Sequence, residues 1–248
     1  MPDAFEIGEF NTESTISWAL ERCSERRERF CEQMARNGNV ELLKVLRGKG
    51  CPWNKETYSG AACKGHLECL QYAHENGCPW SEWTCTKAAK RGHLECLKYA
   101  HENGCPWGRR RWNEDTNSYE DACSNAARKG HLECLKYAHD NGCPWDEETC
   151  SEAASGGHLE CLRYAHEKGC PWSKDTCWRT VINGHLECLK YAHENGCPWD
   201  VGTCMNAAQN GHLECLKYAH ENGCPGSAEY MKYHRLRARE ARKKEIER

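Results

Sequence analysis

Residues Gly92–Trp107 read Gly-His-Leu-Glu-Cys-Leu-Lys-Tyr-Ala-His-Glu-Asn-Gly-Cys-Pro-Trp, and the same sequence returns unchanged at Gly184–Trp199. Near-copies begin at Gly65, Gly130, Gly157 and Gly211, and a degenerate copy begins at Gly38. Successive copies start 27 residues apart, except for one interval of 38 residues. A fixed period of this length predicts stacked structural repeats, because one such unit cannot bury its apolar face alone.

Each repeat is predicted to contain two short helices. In the copy that runs from Ser81 to Trp107, the first helix passes through Cys85 and an Ala pair and ends at Gly92, where a positive φ is tolerated. The second helix runs from Leu94 to His101 and ends before an Asn-Gly pair, with a proline soon after. The residue predicted to cap the first helix is a good capping type in five repeats: Asn54, Ser81, Asp146, Ser173 and Asp200.

The composition points to a folded protein in a reducing compartment. The chain has 21 cysteines, yet the opening residues 1–6 carry neither the basic nor the apolar segment of a signal peptide. No apolar stretch approaches the ~18 residues of a membrane span. We therefore expect an intracellular protein, cytoplasmic or nuclear, with reduced cysteines. The formal net charge of −3 predicts no general attraction to nucleic acid or to membranes.

The string Ala88-Ala89-x-x-Gly92-His93-Leu94-Glu95-x-Leu97-Lys98, closing at Gly104, resembles the ankyrin repeat, whose pattern is A-A-x-x-G-H-x-E-V-V-K-L-L followed by a glycine. The resemblance covers residues 38–226. It implies an all-α fold, namely an α-solenoid of stacked helix-turn-helix repeats. An ankyrin repeat has ~33 residues, so a period of 27 implies shortened fingers, in a short subtype punctuated by Cys-Pro-Trp.

Three segments are expected along the chain. Residues 1–37 form an N-terminal helical cap that includes the first helix of a divergent repeat. Residues 38–226 form the repeat array, with an insert at residues 108–118. Residues 227–248 form a basic C-terminal capping helix, since terminal repeats need a polar outer face. A nuclear-targeting or nucleic-acid role for Arg242-Lys243-Lys244 is the less favoured interpretation of that helix.

Catalysis and metal binding are not predicted. Each repeat offers His and Cys side chains, but structural zinc sites need ligands that converge on one ion, and the chain has no Cys-x-x-Cys motif. Equivalent cysteines of adjacent repeats should lie ~8–10 Å apart, too far for a shared ion or a disulfide. We therefore expect Cys85 and Cys96 to be small core residues, with no cofactor and no metal. A catalytic constellation is unique within a chain, whereas every candidate here is repeated.

Comparison among the seven copies suggests where a partner binds. The second helix scarcely varies, whereas exposed positions of the first helix vary freely, and in the ankyrin family this helix lines the binding surface. The candidate contacts on first helices are Trp83, Lys87, Trp178, Arg179 and Met205. The candidates in the insert are Arg109, Arg110, Arg111 and Trp112, because insertions in solenoids often emerge on the binding face. Variation without function and a tolerated surface loop are the alternatives.

Two recurring side chains are expected to be structural. The histidine that opens each second helix should bond across the tight turn. The Cys-Pro-Trp tryptophans should form a ladder between repeats; a stacking track for single-stranded nucleic acid would need basic neighbours that are missing. The sequence thus predicts a monomeric, non-catalytic scaffold that binds a protein partner, without membrane or nucleic acid. The alternative is a thiol-rich metal-binding or redox-responsive module, which would hold stoichiometric metal or change stability with oxidant.

Overall fold

A computed structural model of the chain describes residues 27–108, 111–113 and 118–232. Its helices form seven successive helix-turn-helix repeats. In chain order they are α1 (Arg27–Asn37), α2 (Val40–Gly48), α3 (Lys55–Lys64), α4 (Leu67–Glu75), α5 (Thr84–Arg91), α6 (Leu94–Glu102), α7 (Ala122–Lys129), α8 (Leu132–Asp140), α9 (Glu147–Gly156), α10 (Leu159–Glu167), α11 (Lys174–Asn183), α12 (Leu186–Glu194), α13 (Val201–Gln209) and α14 (Leu213–Glu221). Residues 227–232 are helical as well.

Capping side chains fix the starts of three first helices, in part as predicted. The Asn54 side chain accepts from the backbone N–H of Thr57, and Asp146 and Asp200 cap α9 and α13 in the same way. The prediction for Ser81 was wrong: α5 begins two residues later, and Trp83 occupies the N-cap position. Ser173 stands at the N-cap of α11 without a side-chain bond.

A glycine in the left-handed region ends both helices of a repeat. Gly92 has φ +76° after α5, and Gly104 has φ +85° after α6. Beyond Gly104, the backbone N–H of Cys105 donates to the carbonyl oxygen of Ala100 at 2.9 Å. This bond is the long-range bond of a Schellman cap. It ties the Cys-Pro-Trp segment to the helix before it.

The helices are arranged in two compact units. In the first unit, residues up to 122 with 133–143, α1, α3 and α5 pack on one another in order, as do α2, α4 and α6. In the second unit, residues 123–132 with 144 onward, α9, α11 and α13 form one layer and α10, α12 and α14 the other. Each unit is thus a stack of helix pairs with a first-helix layer and a second-helix layer.

Small residues fill the core between the two layers, as expected. In the third repeat Cys85, Ala88 and Ala89 of α5 and Cys96 and Leu97 of α6 are all buried. Paired alanines let neighbouring first helices approach closely, and cysteine supplies the remaining apolar volume.

The insert after Trp107 contains a short antiparallel pair that the sequence did not predict. Strand β1 (Arg111–Asn113) pairs with β2 (Ser118–Glu120), with Trp112 opposite Tyr119. The predicted cap at residues 1–37 and the basic helix at 227–248 lie largely outside the described residues. Arg27–Asn37 and residues 227–232 are the helical parts of them that the structure describes.

Candidate partner-binding surface

One position on the first helices distinguishes the sixth and seventh repeats from the four before them. It directly follows the buried core residue, and in the second to fifth repeats a small hydroxyl residue stands there, almost fully buried: Ser59, Thr86, Ser124 and Ser151. In the sixth repeat this residue is Trp178, which is 39% exposed. In the seventh repeat it is Met205, which is half-buried. Because α11 packs on α13, the two apolar side chains belong to the same layer in adjacent repeats.

Lys87, predicted as a contact, is held by the preceding repeat. Its Nζ lies 2.9 Å from Oε2 of Glu56 and 2.9 Å from Oγ of Ser59, both on α3. Burial raises the pKa of the Glu56 carboxyl, but the hydrogen bonds from Ser59 and Lys87 outweigh it, so the net shift is downward. Lys87 therefore bridges two first helices, with part of its side chain still exposed.

Arg179 bridges two first helices in the same way. Its Nη2 lies 3.2 Å from Oε2 of Glu148, and its Nη1 lies 2.8 Å from Oε1 of Glu152. Nε of Arg128 approaches the other oxygen of Glu152 at 3.3 Å. Burial raises the pKa of Glu152 against the opposing effect of the two guanidinium groups, because only 1% of its side chain is exposed. We call Arg128, Glu148, Glu152 and Arg179 the buried ion cluster.

These pairs explain part of the variation between repeats. In each pair the cation stands two positions after the core residue of its own repeat. The carboxylate stands two positions before the core residue of the preceding repeat. The pairs are Lys87–Glu56 and Arg179–Glu148. Both pairs span 31 residues. A search for opposite charges at that separation would have found them. Positions that varied freely in sequence are therefore, in these repeats, paired between helices.

The remaining predicted contacts are placed as follows. Trp83 is half-buried at the start of α5. Arg111 and Trp112 lie on β1, opposite Glu120 and Tyr119 of β2. Arg109 and Arg110 lie outside the described residues.

The edge of the second-helix layer carries a repeated contact between tyrosine, histidine and tryptophan. The Tyr99 hydroxyl lies 3.0 Å from Nδ1 of His74 in the preceding repeat, whose ring packs against Trp80. Nε1 of Trp80 in turn donates to the carbonyl oxygen of Asn103 at 3.2 Å. The same tyrosine–histidine bond recurs at His101–Tyr137, His166–Tyr191 and His193–Tyr218. The predicted tryptophan ladder between repeats is confirmed, and its histidine and tyrosine partners were missed.

The histidine that opens each second helix reaches further than predicted. Its side chain does not bond across its own turn but contacts the turn of the preceding repeat. Nε2 of His185 lies 3.1 Å from the carbonyl oxygen of Ser155, and Nε2 of His212 lies 2.9 Å from that of Ile182. The histidine is thus a link between repeats, and burial lowers the pKa of its equivalents His93 and His158.

Cysteines pair within repeats, a contact that the sequence reasoning missed. The core cysteine of a first helix meets the Cys-Pro-Trp cysteine twenty residues later, as in Cys85 and Cys105. The contact with Cys105 and burial raise the pKa of the Cys85 thiol. In the seventh repeat the sulfur atoms of Cys204 and Cys224 are in direct contact, whereas cysteines were expected to lie too far apart for a disulfide. That expectation compared adjacent repeats and did not consider the loop cysteine of the same repeat.

Within the part of the chain that the structure describes, no three His, Cys, Asp or Glu side chains form a group that could hold a metal ion. None of the helices described between residues 27 and 232 has the length and apolar character that crossing a bilayer requires.

Comparison with known proteins agrees with this architecture. The family model described as ankyrin repeats, many copies, matches residues 57–101 and 85–139. Among solved structures, the human ASB11 ankyrin repeat domain superposes with a TM-score of 0.55 at 18% sequence identity, over 68% of this chain and 84% of that one. No curated protein matches the sequence. The family match over residues 57–139 shows that this part of the chain is similar to ankyrin repeats, and the shared fold agrees with it.

Proposed function

We propose that the chain is a non-catalytic scaffold that binds a protein partner through its first-helix layer. Ankyrin repeats generally serve as protein-interaction modules. The repeated His and Trp described above join one repeat to the next, and the repeated Cys lie in the core of their own repeat. The binding residues must then be those that depart from the repeat. The observation that carries the proposal is Trp178, a large apolar side chain exposed where other repeats bury a small hydroxyl.

Trp178 and Met205 form the centre of the proposed surface. Tryptophan is enriched among residues that dominate binding energy at interfaces, and methionine adapts to irregular partners. Arg179, next to Trp178, is held in the buried ion cluster, so we assign it the task of fixing α11 rather than of touching the partner. Lys87 has the same bridging task on α5, and the exposed part of its side chain leaves it at the rim of the surface.

The insert and Trp83 form a second proposed contact region in the first unit. Arg109, Arg110, Arg111 and Trp112 combine three cations with an aromatic ring, a combination that suits an acidic, partly apolar partner segment. The pairing of β1 with β2 supports this proposal, because it fixes the backbone of Arg111 and Trp112 in a strand.

Affinity capture from an extract of the source cell tests the proposal. The wild type is compared with Trp178→Ala/Met205→Ala and with Leu213→Ala. Leu213 is a matched control because it is also a large apolar side chain, 45% exposed, but it opens a second helix. Binding of any captured protein is then measured with purified components, after circular dichroism confirms that each variant is folded.

We expect a protein that binds the wild type and Leu213→Ala but is lost from Trp178→Ala/Met205→Ala. Truncation of a hot-spot tryptophan typically costs about 2 kcal/mol or more in binding free energy. Equal affinity for all three proteins would refute the first-helix surface. Replacement of residues 109–112 by Gly-Ser-Gly-Ser tests the insert separately, since it leaves Trp178 in place.

A further inference from the structure

In five repeats the described contacts bring two buried cysteines together, and the fourth repeat has Cys123 and Cys143 at the corresponding positions. The pairs are Cys31–Cys51, Cys85–Cys105, Cys150–Cys170, Cys177–Cys197 and Cys204–Cys224. Each joins the core position of the first helix to the Cys-Pro-Trp cysteine of the same repeat, and each spans 20 residues. In the last pair the two sulfur atoms are in contact and the Cα atoms are 6.8 Å apart, which lies within the range that disulfides span.

The backbone holds the two thiols of a pair against each other. In the third repeat Sγ of Cys85 points to the carbonyl oxygen of Cys105 at 3.8 Å, and Sγ of Cys105 points to that of Ser81 at 3.6 Å. The fifth and sixth repeats repeat both contacts, with 3.8 and 3.9 Å for the first and 3.0 and 3.4 Å for the second. The geometry that brings Cys204 to Cys224 is therefore shared by the other repeats.

Other cysteines have surroundings of a different kind and provide internal controls. In the second repeat Tyr58 replaces the first-helix cysteine and is fully buried, so Cys78 has no thiol at the paired position. The second-helix cysteines, such as Cys96, are also buried, and their nearest ionisable neighbour is the preceding glutamate rather than another thiol.

We propose that each of these pairs is a dithiol site that small-molecule disulfides oxidise to an intrarepeat disulfide. The thiolate of the loop cysteine attacks one sulfur of glutathione disulfide, forms a mixed disulfide and releases one glutathione. The first-helix thiol then loses its proton and displaces the second glutathione. The two protein thiols together lose two protons and two electrons, which reduce one glutathione disulfide to two glutathione molecules.

The loop cysteine is the sulfur that meets the oxidant. The loop cysteines of all five pairs lie outside any helix. The first-helix cysteines and Cys51 are 0% exposed, whereas Cys105, Cys170, Cys197 and Cys224 are 2–3% exposed. Displacing the Cys-Pro-Trp segment uncovers that sulfur and leaves the helices intact. Access therefore requires local opening of a connector rather than unfolding of the repeat.

Oxidation joins the start of the repeat to its end. The bond closes a ring around the helix pair, so it restricts the unfolded chain and opposes displacement of the connector. The oxidised protein should hold its repeats more firmly than the reduced protein. The stability of the repeats would then depend on the ratio of glutathione disulfide to glutathione around the protein.

The full-length protein is reduced, desalted and incubated while folded in glutathione buffers of rising disulfide fraction. Free thiols are trapped by alkylation at acidic pH, and disulfide-linked peptides are identified by mass spectrometry. We expect links at the five pairs, each with the loss of two hydrogen atoms, and alkylated Cys78 and Cys96. Two variants sharpen the test: Cys85→Ser should abolish one link and free Cys105, and Tyr58→Cys should add a link to Cys78.

The proposal is overturned if the folded protein forms none of the five links under buffers that oxidise the urea-unfolded chain. It is also overturned if Cys96 and its equivalents enter disulfides as often as the paired cysteines. A melting temperature that rises with the oxidised fraction in the wild type, and rises less in Cys85→Ser, supports the stiffening. These readouts need no partner, so they are independent of the proposed scaffold function.

Discussion

Substitution of Arg179 by methionine should destabilise the protein by leaving a buried carboxylate without its main partner. Methionine keeps the length of the side chain and removes both ion pairs, to Glu152 at 2.8 Å and to Glu148 at 3.2 Å. Glu152 is 1% exposed, so water cannot replace the lost guanidinium. Arg128, 3.3 Å from the second oxygen, is the cation that stays.

The loss in the free energy of unfolding depends on how much positive charge remains beside the Glu152 carboxylate. Removing one partner of a buried ion pair typically costs about 3–5 kcal/mol. Arg128 keeps part of the compensation, so we expect about 2–3 kcal/mol for Arg179→Met. At about 2–4 °C per kcal/mol for a chain of this size, the melting temperature should fall by about 4–12 °C.

The assay is urea unfolding followed by circular dichroism at pH 7 and pH 5, on Arg179→Met, Glu152→Gln and the double variant. Burial already raises the pKa of Glu152, and the loss of Arg179 raises it further. The folded protein then holds this proton more tightly than the unfolded chain, so protonation at low pH restores stability. The deficit of Arg179→Met should therefore shrink from pH 7 to pH 5. In the double variant no buried carboxylate remains, so it should be more stable than Arg179→Met; strictly additive effects would refute the reasoning.

Three further outcomes are expected. Gly184→Ala and Gly196→Ala should each lower the free energy of unfolding by about 1–2 kcal/mol, because alanine is strained in the left-handed region. Gly184→Ala should lower it more, because its Cβ would collide with a histidine ring of the next repeat, whereas the space at Gly196 is open. Equal unfolding midpoints for the two variants would contradict this. Tyr191→Phe removes the hydroxyl that bonds His166 of the preceding repeat. The free energy of unfolding in urea should fall by about 0.5–1.5 kcal/mol, and no change would mean that this bond is not formed. Burial lowers the pKa of His158, so as the pH falls the unfolded chain binds a proton at this histidine before the folded protein does. The free energy of unfolding should therefore fall as the pH drops below about 6.5. His158→Gln should make this dependence on pH weaker between pH 7 and pH 5, and an unchanged dependence would exclude the effect.

The positions of the helices within each repeat could be predicted, because they depend on residues that are close in sequence. Alanine pairs, capping residues and glycines act over a few residues, and Gly92 and Gly104 adopt the positive φ expected of them. The error at Ser81 has a local cause as well. Its hydroxyl accepts from the N–H of Trp83 at 3.3 Å in an extra turn before α5, and no residue type distinguishes that turn from a cap.

Contacts between repeats were harder to predict, since they depend on how far one helix is displaced along its neighbour. The pairs Lys87–Glu56 and Arg179–Glu148 are set by that offset, which no single repeat contains. The cysteine pairs depend on the path of the connector, which folds back onto its own first helix. The pattern of apolar residues on each helix therefore predicts the core, but it predicts neither the ion pairs between repeats nor the cysteine pairs within them.

The last tyrosine–histidine bond bears on how such a chain changes length over evolution. Nδ1 of His220 lies 3.1 Å from the Ser227 hydroxyl rather than from a tyrosine. Because a residue just beyond the seventh repeat bonds this histidine, duplication or deletion of a whole 27-residue unit leaves each tyrosine–histidine bond with a partner. Repeat number can therefore drift by whole units at little energetic penalty, while a change of a few residues inside a unit shifts every contact it makes with its neighbours.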